Sequence, residues 1–121
     1  MDFYRYRLRA PMYSTKIMVS YIKYLKFEIA SNQRYELDTV QIRVLNEILF
    51  SYSKGIDIKV GDILSNRDIA SQATSHVALK KLVEKGLIGY QTVSDNRAKY
   101  LVITKLGHKR FAELAKVASC A

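Results

Sequence analysis

The chain has 121 residues, 49% of them hydrophobic, and twenty Lys and Arg against eleven Asp and Glu give it a formal charge of +9. That length suits one domain with a single core, and the hydrophobic share is too high for a disordered chain. A pI near 9.7 points to a polyanionic partner, either nucleic acid or an anionic membrane surface, with a plainly cationic solvated surface as the bland reading.

The positive charge is uneven. Residues 1–35 hold seven bases and two acids, residues 60–110 nine and four, and residues 36–59 between them three and four. Lys16, Lys23 and Lys26 interrupt the most apolar stretch, so no run reaches the ~20 residues of a membrane span, and the N-terminal stretch lacks the apolar segment of a signal peptide. A soluble cytoplasmic protein without a membrane partner is expected, since residues 13–31 carry apolar and aromatic side chains on too many sides for an interfacial helix. Cys120 is the only cysteine, which excludes an internal disulfide and a structural zinc site. Neither His76 nor His108 stands in a motif with a nucleophile, and no Gly-rich phosphate loop or metal-ligand cluster is present. No catalytic activity and no cofactor are expected.

The elements follow in order. "FYRYRLRAP" alternates aromatic or apolar residues with Arg5, Arg7 and Arg9 before Pro11, as an extended arm would. From about Tyr13 to Ser31 the spacing turns helical: Ile17, Tyr21, Leu25 and Ile29 recur every four residues, with Met18, Ile22 and Phe27 widening the stripe. So wide an apolar face calls for more than one neighbour, and a second subunit is a natural one. A helix from Asp38 to Tyr52 follows, with a capping-box-like start at Asp38 and Gln41, a stripe of Val44, Leu45, Ile48, Leu49 and Tyr52, and Gly55 after its end. "IDIK", residues 56–59, suits a short strand.

"VGDILSN" then reads as a short helix anchored by Ile63 and Leu64, and "RDIAS" as a turn pinned by Ile69. Ser71 caps a longer helix, "QATSHVALKKLVEKG", with Leu79, Leu82 and Val83 on its inner face and Gly86 at its end. A strand from Leu87 to about Val93, a polar turn "SDNR", and a returning strand through Tyr100, Leu101, Val102 and Ile103 make a hairpin. Thr104 caps a last helix held by Leu106, Phe111, Leu114 and Val117. The expected fold is mainly α with a small β-wing, a winged helix-turn-helix. Residues 1–35 form the basic arm and a dimerisation helix, residues 36–121 the DNA-binding unit, in one compact domain.

"LVEKGLIGYQTVSDNRAKYLVITKLG" resembles the helix exit, wing and following helix of the MarR-type transcriptional regulators. The matching elements are "EKGLI", the Asp95-x-Arg97 wing tip, and "ITKLG" in place of that family's Leu-Thr-x-x-Gly, within a likeness over about residues 38–115. The final helix is shorter than the dimerisation helices usual in the family, and the basic arm is not a general family feature. The resemblance implies a dimer that binds double-stranded DNA, with Arg97 in the minor groove and Asp95 aiming it.

If the inner face of the capped helix is buried, helical geometry turns Ala73, Thr74, Val77, Lys80 and Lys81 outward, with Gln72 and His76 at its leading edge. Gln72 can read adenine, Thr74 a base or a phosphate, and Val77 a thymine methyl. His76 is either a donor to base or phosphate or a plain surface histidine. Lys80, Lys81 and Lys99 suit phosphates. Asp95 and Arg97 have a bland reading too, an exposed ion pair that stiffens a turn. Arg5, Arg7 and Arg9 have two readings: they track the phosphate backbone or enter a groove of DNA, or they stay solvated while Phe3, Tyr4, Tyr6 and Leu8 dock on a partner subunit. The competing function is a winged-helix protein-interaction module, an accessory factor or antirepressor, since fold alone does not fix function. The sequence shows no effector ligand, operator or direction of regulation.

Overall fold

Three helix ends set the layout of this computed structural model, which describes residues 15–92 and 99–119. Helix α1 spans Thr15–Arg34, α2 Thr39–Ser53, α3 Val60–Leu64 and α4 Gln72–Glu84; strands β1, Ile88–Thr92, and β2, Lys99–Ile103, follow, and α5 covers Lys105–Ser119. The described residues are thus mainly helical, with one two-stranded antiparallel sheet.

Helices α1, α2 and α4 all end in the same way. The second amide past the cap returns to a carbonyl in the last turn: Leu37 to Asn32 at 2.9 Å, Ile56 to Ser51 at 2.9 Å, and Leu87 to Leu82 at 3.1 Å. This closure needs a left-handed residue just after the cap. Gly55 (φ 71) and Gly86 (φ 78) supply it without strain, but after α1 the position is held by Glu36 at φ 54, where a side chain is disfavoured.

Asp38 starts α2 by accepting from the Gln41 amide at 2.8 Å. Gln41 does not complete a capping box. Its side-chain amide donates to the other Asp38 oxygen at 3.2 Å, and its Oε1 accepts from Lys85 at 2.8 Å. The strand expected over residues 56–59 reduces to one bridge, Lys59 with Tyr100, supported by the Leu101 amide donating to the Ile58 carbonyl at 2.9 Å. Ile56 is spent closing α2 and Val60 already opens α3, so too few extended residues remain to build a ladder.

The core lies where α2, α3, α4 and the base of the hairpin meet. Val44, Ile63, Leu82 and Leu87 are wholly buried there, with Leu45, Ile48, Ile58, Ile69, Ala78, Leu79, Ile88 and Leu101 around them. Burying each such aliphatic side chain contributes about 1.5–3 kcal/mol. Thr104 ties the α4 exit to α5: its hydroxyl donates to the Gly86 carbonyl at 2.5 Å and accepts from the Gly107 amide at 3.1 Å.

Helix α1 lies against α5. Its wide apolar face is not consumed by that contact, for Ile17, Met18, Val19, Tyr21, Ile22 and Ile29 remain exposed. On α5 the expected anchor Leu106 is only partly covered, at 37% exposed, while Leu114 and Arg110 are buried. The Arg110 guanidinium is covered because α1 crosses it and offers Asn32 as acceptor.

Candidate nucleic-acid interface

Two short-range devices aim α4. In the turn before it, the Asn66 side chain accepts from the Asp68 amide at 3.0 Å, and the Ile69 amide returns to the Asn66 carbonyl at 3.2 Å, which points Ile69 into the core. Ser71 is the N-cap, accepting from the Thr74 amide at 3.3 Å and donating to the Thr74 hydroxyl at 2.9 Å. Such a cap stabilises a helix start by about 1 kcal/mol. Thr74 therefore helps to form the cap.

The helix then buries one side. Ser75, Ala78, Leu79 and Leu82, spaced at i, i+3, i+4 and i+7, face the core, and Val83 is only partly covered. Gln72, Ala73, Thr74, His76, Val77, Lys80 and Lys81 are all exposed. Val77 is 51% exposed, the one large aliphatic side chain among the exposed residues of this helix. Gln72, Ala73, His76 and Val77 line an open groove with Leu64 of α3. A helix of 13 residues is about 20 Å long. That is a rod of the size that enters a major groove.

Lys99 is exposed on β2, opposite Thr92, and its ammonium lies 5.2 Å from the centre of the Tyr90 ring. Lys59 stands 5.7 Å from the Tyr100 ring on the neighbouring segment. Tyr90 and Lys59 are not among the residues expected here from sequence. The available signal was period-two alternation, which puts Tyr90, Thr92 and their cross-strand partners on one face of the hairpin. Asp95 and Arg97, between the two strands in sequence, and Arg5, Arg7 and Arg9 of the arm lie outside the described residues.

Among the described residues no helix is long and apolar enough to cross a membrane, and no group of three or more His, Cys, Asp and Glu side chains is arranged to hold a metal ion. Compared with known proteins, the chain matches no family model and no curated protein.

Proposed function

We propose that the chain is a winged helix-turn-helix transcriptional regulator of the MarR type, a cytoplasmic dimer that binds double-stranded DNA with sequence specificity. In this reading α3 and α4 are the helix-turn-helix, β1 and β2 the wing. The observation that carries it is the outward face of α4, where readers of base edges (Gln72, Val77, His76) precede phosphate-binding lysines (Lys80, Lys81) along one exposed side. Thr74 acts there as a donor, since its oxygen already accepts from Ser71. Lys99 grips a phosphate beside the wing, and Arg97 enters the minor groove, where its potential is most negative in A-tracts. Asp95 fixes the guanidinium and so lowers the entropy lost on binding.

Residues 36–121 form the DNA-binding unit in this reading, and residues 1–35 carry the arm and the dimerisation helix. The unpaired apolar side of α1 supports a second copy there, because six large hydrophobic side chains on one helix (Ile17, Met18, Val19, Tyr21, Ile22, Ile29) make an unusually apolar exposed patch for a monomer. Two copies present two reading helices to successive major grooves ~34 Å apart on a two-fold site.

Selection of bound sequences from random duplex DNA tests the proposal. An enriched two-fold motif is expected, with affinity falling by orders of magnitude between ~50 and ~200 mM salt; no enrichment sinks it. Exposed Phe50, Tyr52 and Ile56 at the far end of α2 favour the second reading, a protein-interaction module. A stoichiometric protein partner without a DNA footprint would support that one.

A further inference from the structure

Lys85 is the C-cap of α4, and as one more lysine on a basic helix it would be counted among phosphate contacts. Its side chain goes elsewhere. The ammonium donates to the backbone carbonyl of Glu36 and, at 2.8 Å, to Oε1 of Gln41. Gln41 is 2% exposed and is itself held by both oxygens of Asp38. Glu36 is the left-handed residue that closes α1. One lysine thus joins the end of the DNA-facing helix to the turn between α1 and α2, 44 and 49 residues away in sequence.

We infer that Lys85 is a positioning residue for DNA recognition: it clasps α4 to the α1–α2 turn, fixes the angle at which the helix meets the groove, and touches no phosphate. The inference rests on the DNA-binding reading above. Three features carry it. The ammonium has two acceptors on rigid neighbours, so it holds the α4 end in direction as well as in distance. Its charge sits at the negative end of the α4 dipole, where a cation is favoured. Glu36 keeps a backbone conformation that glycine would adopt more readily, and such a residue persists where its surroundings over-determine it. The grip on its carbonyl is one such constraint. Because Glu36 ends the helix that offers the apolar face, the clasp also runs directly between that helix and α4.

The test separates positioning from direct phosphate binding by salt dependence. Removing one lysine–phosphate pairing lowers the slope of log affinity against log salt by about 0.9. Lys85→Met is expected to weaken binding to a selected duplex by about ten-fold, in the range of residues that act through packing, with the slope unchanged. Lys80→Ala and Lys81→Ala each lower the slope. Gln41→Met should weaken binding with the same unchanged slope, the double variant should be little worse than either single one, and Lys85→Gln, which keeps a donor, should recover part of the affinity. Glu36→Gly keeps the carbonyl and should bind as the parent does. A slope reduced by about 0.9 in Lys85→Met, or parent-like affinity, overturns the inference.

Thermal unfolding of each variant identifies any that fail to fold, and Lys85→Gln and Gln41→Met then carry the comparison. If the parent chain binds no duplex, it is the DNA reading that fails. Amide exchange then judges the clasp: Lys85→Met should speed exchange at residues 35–41 and 83–87 together, and unchanged rates at both would refute it.

Discussion

Arg110 on α5 donates to the Asn32 side-chain oxygen on α1 at 2.6 Å, and it does so with only 4% of its surface exposed. Its Nε has no partner among the described residues, and burial pulls the guanidinium below the usual arginine range despite the opposing pull of Glu28. A charged group held in this way costs the fold desolvation energy that one hydrogen bond only partly returns. Two substitutions therefore differ. Arg110→Ala, which leaves a cavity and an unpaired Asn32, should lower the unfolding free energy by about 2–4 kcal/mol. Arg110→Met, which refills the space without the charge, should cost at least ~1 kcal/mol less. Urea unfolding of both reads the difference, and equal losses would contradict the account.

Tyr24 gives a pH dependence. Burial, followed by the carboxylate of Glu28, raises its phenol above the ordinary value of 10.0, and its hydroxyl donates to Glu28 at 3.4 Å. The folded state therefore holds this proton more tightly than the unfolded chain. The resulting stability is fully present below about pH 10 and is lost as pH rises through the folded value. Tyr24→Phe should flatten part of the alkaline fall in melting temperature and leave the neutral value nearly unchanged.

Glycines at two positions should respond oppositely to alanine. A Cβ on Gly107 would run into the Leu87 carbonyl oxygen and come within 2.9 Å of Ile103 Cγ2, so α5 must shift off the hairpin. Gly107→Ala should cost about 1–3 kcal/mol. A Cβ on Gly61, inside α3, meets nothing within 4 Å, and Gly61→Ala should add about 0.4–1 kcal/mol. Differential scanning calorimetry should move the two melting temperatures in opposite directions.

The proposed division of labour on DNA predicts distinct signatures. Val77→Ser should relax preference at one base position by about 1–3 kcal/mol with little effect on salt dependence. Lys81→Ala should weaken all sequences alike and reduce the salt slope by about one. Arg97→Ala should weaken binding, most of all on A-tract flanks, with melting temperature nearly unchanged. If Val77→Ser leaves the selected motif intact, α4 is not the reading helix.

The apolar side of α1 can be tested without DNA. Ile17, 69% exposed, and Ile22, 44% exposed, contribute little to the monomer, so the double substitution Ile17→Glu, Ile22→Glu should leave the helical circular dichroism intact. Sedimentation velocity should show dimer for the parent and monomer for the variant. A monomeric parent at micromolar concentration would remove α1 from the proposed interface.

Local chemistry made much of this architecture legible from sequence. Ser71, Asp38 and Thr104 announce helix starts, Gly55 and Gly86 announce ends, and the apolar period of α2 and α4 marks their inner faces. These signals act over three or four residues and need no knowledge of what lies opposite. Tertiary structure alone decided which charged side chains turn inward. Nothing in the local sequence marks Arg110 for burial, which follows from α1, 78 residues away at Asn32, being laid across it, and nothing local gives Lys85 its acceptors on the α1–α2 turn. Leu106 fits the core by period and yet stays 37% exposed, while Arg110 on the same helix is the better covered of the two. Helix periodicity fixes which residues share a face; only the packing of distant segments fixes which faces are covered, because desolvation depends on the neighbour and not on the spacing.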